Sequence, residues 1–154
     1  MNISSIGCNK YFLTFIDDFS RKTWIYLLKS KDEVFQCFKR SKTFVERQSG
    51  RKIKMVRSDG GGEYKSNELK RHCDELGLQH NIICPYSSQH NGVDERKNRT
   101  IMDITRSMLK AKGMPNYFWV EAVTCAAYLI NKSPTRSVPD TTPIEAWSRF
   151  KPNV

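Results

Sequence analysis

The chain has 154 residues and a formal net charge of +10, which suits one domain with a hydrophobic core. The excess of Lys and Arg is spread along the sequence and favours a polyanionic partner, because cations near phosphates release counterions. No apolar run approaches the roughly 20 residues of a membrane span, and the N-terminus does not resemble a signal peptide. Five scattered Cys favour separate thiols in a reducing compartment over a disulfide framework.

The first half of the chain predicts a hairpin followed by alternating helices and strands. Two apolar runs rich in β-forming residues, 11–16 and 23–28, flank the polar turn 17–22 and predict an antiparallel pair. An amphipathic helix is expected from there to about Arg47. A strand over 52–58, a helix opened by Ser66 and a short strand over 80–84 follow.

The second half is predicted to be helical. Apolar periodicity indicates a long helix over 93–112, and Pro115 suits the first turn of another that runs to Asn131. A linker over 133–142 and a short helix over 143–150 end the chain. The order β-β-α-β-α-β-α-α predicts an α/β layer structure with a mixed sheet.

Two carboxylates are candidates for metal ligands. Asp59 ends the predicted third strand before three glycines, and Glu95 lies in the first turn of the long helix, with 35 residues between them. Mg²⁺ prefers such oxygen ligands, and two divalent ions can activate both oxygens of a phosphodiester exchange. The pair alone is a weak signal, since Asp59 also suits a turn and Glu95 a helix N-terminus.

A basic stripe follows Glu95 along the same helix. Arg96, Arg99, Arg106 and Lys110 recur at helical spacing, and Lys97 adds a further cation. Such a stripe would position a DNA backbone beside the carboxylates, although a solvated helix face is the alternative. A zinc site at His72, Cys73, His80 and Cys84 is disfavoured, because the spacing fits no closed tetrahedral motif.

Several motifs together resemble the integrase catalytic core of copia-type retrotransposons. They are Phe15-Ile16-Asp17-Asp18-Phe19-Ser20-Arg21, Arg57-Ser58-Asp59-Gly60-Gly61-Gly62-Glu63-Tyr64, Asn91-Gly92-Val93-Asp94-Glu95-Arg96-Lys97-Asn98-Arg99-Thr100, Phe118-Trp119-Val120-Glu121-Ala122-Val123 and Thr142-Pro143-Ile144-Glu145-Ala146-Trp147. The resemblance implies a ribonuclease H-like fold, DNA integration by polynucleotidyl transfer, and two Mg²⁺ or Mn²⁺ ions held by two Asp and one Glu. It further implies DNA as partner, homo-oligomers and a nuclear location.

The resemblance assigns only part of the family's carboxylate set to this chain. Asp59 matches the second Asp and Glu95 the Glu, as both metal ligands and catalytic residues. The first Asp lies in the family on a central first strand, upstream of the segment that matches residues 7–11. Asp17 matches a residue without a catalytic role in the family and is kept only as a substitute for that first Asp.

The resemblance therefore predicts an integrase core that is truncated at both ends, with the core proper over about 10–112 and a helical extension over 114–154. Without a central first strand, strands 11–16 and 52–58 are expected to lose their shared neighbour. They could then pair directly with each other, recruit residues 1–8 or pair with another chain. Such a chain is expected to be marginally stable and inactive alone. The alternative is a catalytically dead fragment that binds nucleic acid through charge alone. A ribonuclease H proper is disfavoured, because the resemblance continues through the helices after Glu95.

Overall fold

A computed structural model describes residues 4–58, 67–82 and 92–151, and the order of its elements confirms the predicted α/β class. The strands and helices are β1 (Tyr11–Ile16), β2 (Thr23–Leu28), α1 (Val34–Ser49), β3 (Met55–Ser58), α2 (Asn67–Glu75), β4 (Gln79–Ile82), α3 (Gly92–Ala111), α4 (Trp119–Lys132) and α5 (Pro143–Ser148). The chain divides into two compact units, one of Met1–Lys29 with Asp94–Val154 and the other of Ser30–Val93. The predicted division into a core over 10–112 and an extension over 114–154 stays a prediction.

The first unit opens with the predicted hairpin. β1 and β2 pair antiparallel from Tyr11 opposite Leu28 to Ile16 opposite Thr23. The turn is closed by Asp17, whose Oδ2 accepts hydrogen bonds from the backbone N of Ser20 at 2.8 Å and from its Oγ at 2.7 Å. Short acidic side chains favour turns because they bond the backbone a few residues on. Asp17 therefore has a structural task at the end of β1.

The core of this unit lies between the two long helices. Ile101 and Leu109 of α3 pack with Trp119, Val123 and other apolar residues of α4, and Phe12 of β1 packs against this cluster. Trp119 is fully buried, and its ring centroid lies 6.4 Å from that of Phe12. The hairpin and both helices thus share one apolar core.

Polar contacts connect the remaining parts of the first unit. The Asn131 side chain at the end of α4 accepts a hydrogen bond from Thr23 N at 2.8 Å and donates one to Thr23 O at 2.7 Å. Thr142 and Glu145 form a reciprocal capping box at the start of α5. Trp147 of α5 then packs edge-on against Trp24 of β2, with ring centroids 4.9 Å apart.

The second unit is a β-α-β arrangement with an additional helix. β3 and β4 pair in parallel, with Met55 opposite Gln79 and Ser58 opposite Ile82, and α2 lies between them in the chain. β3 begins later than the predicted residue 52. Ile53 N donates instead to Glu46 Oε1 of α1 at 2.9 Å. This backbone group therefore bonds a side chain rather than a neighbouring strand.

The described strands form two separate two-stranded sheets, with the orders β1-β2 and β3-β4. Residues 4–10 contain no strand, so recruitment of residues 1–8 as a strand partner, one of the three possibilities, is not seen in their described part. They form a turn instead, in which Ser5 N donates to Asn9 O at 3.0 Å and Cys8 adopts a positive φ of 60°. In the three described stretches, no helix has the length and apolar character of a membrane span.

Candidate metal and nucleic-acid site

The two predicted metal ligands differ in what the structure shows of them. Asp59 lies outside the described residues, but Ser58 immediately before it is buried at the end of β3. The Ser58 Oγ lies 3.1 Å from Nε2 of His80 in β4. Burial lowers the pKa of His80, against the opposing effect of Asp74, which favours a neutral imidazole in this contact. The strand that leads to Asp59 is therefore fixed by both backbone pairing and a side-chain contact.

Glu95 lies in the first turn of α3, with its side chain 69% exposed. Its Oε1 accepts a hydrogen bond from Arg99 Nη2 at 3.2 Å, one helical turn further on. Exposed pairs at this spacing contribute about 0.3–0.5 kcal/mol. A divalent cation can displace so weak a partner, and a carboxylate oxygen is the donor that Mg²⁺ prefers. The chemistry of Glu95 thus fits the predicted ion.

Four of the predicted DNA-binding cations share the exposed side of α3. Arg96 and Lys110 are exposed, Arg99 pairs with Glu95, and Arg106 pairs with Asp103 at 3.4 Å. We call Arg96, Arg99, Arg106 and Lys110 the α3 stripe. At 3.6 residues per turn, Glu95, Arg99 and Arg106 fall within about 40° around the helix axis. A polyanion that follows this stripe would therefore reach Glu95.

Lys97 lies elsewhere on the helix, roughly 160° around the axis from Arg99. Its side chain is half-buried on the apolar side of α3, which lowers its pKa, and the nearby positive charge of Arg21 lowers it further. The structure therefore separates Lys97 from the α3 stripe. Its DNA-binding role stays a prediction. From this position, however, Lys97 would not contact the same phosphates as Arg99.

Asp17, the predicted substitute for the first Asp, accepts two hydrogen bonds from Ser20 in the hairpin turn. Across residues 4–58, 67–82 and 92–151, no three His, Cys, Asp or Glu side chains cluster closely enough to hold a metal ion. Asp17 is thus not brought into such a group with Glu95 there. Its role as a substitute stays a prediction.

Two features escaped the sequence-based reasoning. Thr14 Oγ1 of β1 donates to Asn98 Oδ1 of α3 at 2.9 Å, across 84 residues, and no local pattern signals a contact so distant.

A second basic surface lies on α1, where Lys39, Arg40 and Arg47 surround the half-exposed Phe44. These residues line an open depression of about 750 Å³. Their helical spacing was the available signal for this α1 surface.

Solved structures with a similar fold include an intasome chain and integrase catalytic core domains. A chain of the simian T-cell lymphotropic virus intasome, solved in complex with PP2A regulatory subunit B56 gamma, matches 92% of this chain and 50% of its own length, with a TM-score of 0.69 and 20% identity. The HTLV-2 integrase catalytic core domain in complex with magnesium matches 87% of this chain and 82% of its own, with a TM-score of 0.63 and 18% identity. This likeness confirms the ribonuclease H-like fold.

Relatives found by sequence have a higher sequence identity to this chain than these solved structures. The Retrovirus-related Pol polyprotein from transposon TNT 1-94 of Nicotiana tabacum is 51% identical over 148 residues, 96% of this chain. The corresponding polyprotein from transposon RE2 of Arabidopsis thaliana is 34% identical over 151 residues, 98% of this chain. The chain spans only 11% and 10% of these two relatives.

The family model described as integrase core domain matches residues 1–88. The match includes Asp59 and ends before Glu95, which lies within α3. It covers more than half of the chain, and the Pol polyproteins extend the similarity through the remaining helices. The chain belongs to the integrase core domain family.

Proposed function

We propose that this chain acts in DNA integration by polynucleotidyl transfer, as part of a retrotransposon Pol polyprotein. The observation that carries the proposal is the position of Glu95 at the exposed start of α3, in contact with Arg99 and in line with Arg106. A metal-binding carboxylate at one end of a row of cations suits a substrate that is a chain of phosphates. Membership of the integrase core domain family supports this substrate class.

The reaction has two steps in which one phosphodiester bond replaces another. Water first cleaves a bond near the 3′ end of the element's DNA and leaves a 3′ hydroxyl. That hydroxyl then attacks a target phosphodiester in line, which joins the two DNAs and releases a new 3′ hydroxyl. Asp59 and Glu95 would supply two of the three carboxylates that hold two Mg²⁺ or Mn²⁺ ions, and these ions would activate the attacking oxygen and stabilise the leaving oxygen.

The basic residues of α3 would bind and orient the DNA. Arg99 neutralises Glu95 in the structure, and its guanidinium becomes available to a phosphate once Glu95 binds a cation. Arg96, Arg106 and Lys110 extend the positive surface along the helix, with Arg106 about 10 Å from Arg99 along the axis. Homo-oligomers and a nuclear location, where target DNA resides, belong to the same proposal.

The alternative is a non-enzymatic chain that binds nucleic acid through charge alone. The effect of Mn²⁺ on the affinity for a DNA end, at constant ionic strength, separates the two functions. If the carboxylates hold a metal ion that also binds a phosphate oxygen of the DNA, Mn²⁺ is expected to tighten DNA binding. Charge-only binding predicts that Mn²⁺ weakens it, because divalent cations compete for the phosphates. Weaker binding with Mn²⁺, measured by fluorescence anisotropy, would count against the proposal.

The two basic surfaces provide a matched comparison for DNA binding. Replacing Arg96, Arg99 and Arg106 of the α3 stripe by Gln is expected to reduce the slope of log affinity against log salt by roughly 2–3, since each phosphate contact contributes about 0.9. Replacing Lys39, Arg40 and Arg47 of the α1 surface removes the same charge and is expected to change the slope by less than half as much. Equal losses from the two triple variants, in anisotropy titrations across a salt series, would instead support charge-only binding.

A further inference from the structure

A side-chain hydrogen bond connects the middle of β1 to the helical turns that carry Glu95. Thr14 Oγ1 donates to Asn98 Oδ1 at 2.9 Å, and both residues are partly buried. Side chains alternate along a strand, so Thr14 shares a face of the hairpin with Phe12 and Ile16. Phe12 packs against the helical core. Thr14 thus places a hydroxyl group in a row of apolar side chains that faces the helices.

Asn98 is well placed to control Glu95. The two residues are three positions apart on α3, which corresponds to about 60° around the axis and about 4.5 Å along it. A fixed Asn98 therefore restricts both rotation and sliding of the turn that carries Glu95. The contact of Glu95 with Arg99 cannot do this, because both side chains belong to α3 and are about 70% exposed.

We propose that Thr14 and Asn98 are positioning residues, which hold α3 against β1 so that Glu95 faces the metal ions. The inference rests on the proposed function of Glu95 as a metal ligand. Its physical basis is the sensitivity of such sites to geometry, since a displacement of about 1 Å in a catalytic constellation costs on the order of 100-fold in rate. Groups that orient metal ligands typically change metal affinity by about 10–100-fold when removed.

The test is the Mn²⁺ concentration that half-maximally tightens DNA-end binding. Thr14→Val keeps the shape of the side chain but removes the hydroxyl, and we expect it to raise this midpoint by about 10-fold or more. DNA affinity without metal is expected to stay unchanged. Thr14→Ser, which keeps the hydroxyl, should restore a midpoint within about 3-fold of the wild-type value.

Asn131→Ala is the matched control, because it breaks a comparable link between β2 and α4. It is expected to lower the melting temperature but leave the Mn²⁺ midpoint unchanged. Asn98→Ala removes the other partner and provides a second route if Thr14→Val does not fold. The double variant should be no worse than either single change, because both remove the same contact.

Each outcome has a defined meaning. If wild type shows tightening by Mn²⁺ and Thr14→Val has the same midpoint, the positioning role is wrong while the proposed function stands. If Asn131→Ala raises the midpoint as much as Thr14→Val, the effect is general destabilisation, and the positioning role is again wrong. If wild type shows no tightening at all, the proposed function fails and the positioning role fails with it.

Discussion

Glu95→Gln is expected to abolish the tightening of DNA binding by Mn²⁺ and to weaken Mn²⁺ binding itself by more than about 100-fold. The substitution keeps the size of the side chain but removes the negative charge that a divalent ion requires. DNA affinity without metal should rise slightly, because Arg99 loses its acidic partner. Isothermal titration with Mn²⁺ and anisotropy with a labelled DNA end measure both effects.

The control for this variant lies two turns along the same helix. Asp103 is an exposed carboxylate paired with Arg106, much as Glu95 is paired with Arg99. Asp103→Asn removes the same charge from α3 and is expected to leave Mn²⁺ binding within about 2-fold of wild type. Similar losses in both variants would show that the negative charge of α3, rather than the position of Glu95, determines metal binding.

Trp119→Ala is expected to destabilise the first unit by about 3–5 kcal/mol. Trp119 is fully buried between α3, α4 and β1, so truncation leaves a large cavity in the core. For a chain of this size the melting temperature should fall by roughly 6–20 °C. A loss this large is a substantial part of the about 5–15 kcal/mol that stabilises a typical domain.

Thermal unfolding followed by circular dichroism tests this prediction, with Tyr128→Ala as the control. Tyr128 is an aromatic residue of the same helix that is 57% exposed, and its truncation is expected to cost about 0.5 kcal/mol or less. Because Trp119 packs against α3, its loss should also raise the Mn²⁺ midpoint of DNA binding. A Trp119→Ala variant as stable as wild type would contradict the assigned core.

The order of elements was predictable because its signals are local. The apolar runs on either side of residues 17–22 and the apolar periodicity of α3 and α4 depend on residues only a few positions apart. The start of β3 was predicted too early, because the partner of Ile53 N is Glu46 of α1. The apolar pattern of a strand does not show that a side chain elsewhere accepts a hydrogen bond from one of the strand's backbone groups.

The candidate site was predictable only in part, for the same reason. The proximity of Glu95 and Arg99 follows from helical spacing and is confirmed by the 3.2 Å contact. The separation of Lys97 from the α3 stripe also follows from spacing, but its half-burial depends on what packs there. The Thr14–Asn98 bond depends on the tertiary fold and was not predictable from either segment alone.

The most direct test of the central claim is Mn²⁺ binding to four proteins: wild type, Asp59→Asn, Glu95→Gln and the double variant. If Asp59 and Glu95 share their ions, each single variant should lose most of the affinity, and the double variant should lose little more, because ligands of one site act as a unit. Loss of the free Mn²⁺ signal in electron paramagnetic resonance reports the bound fraction. Unchanged binding in Asp59→Asn, or losses that simply multiply in the double variant, would contradict a shared metal site.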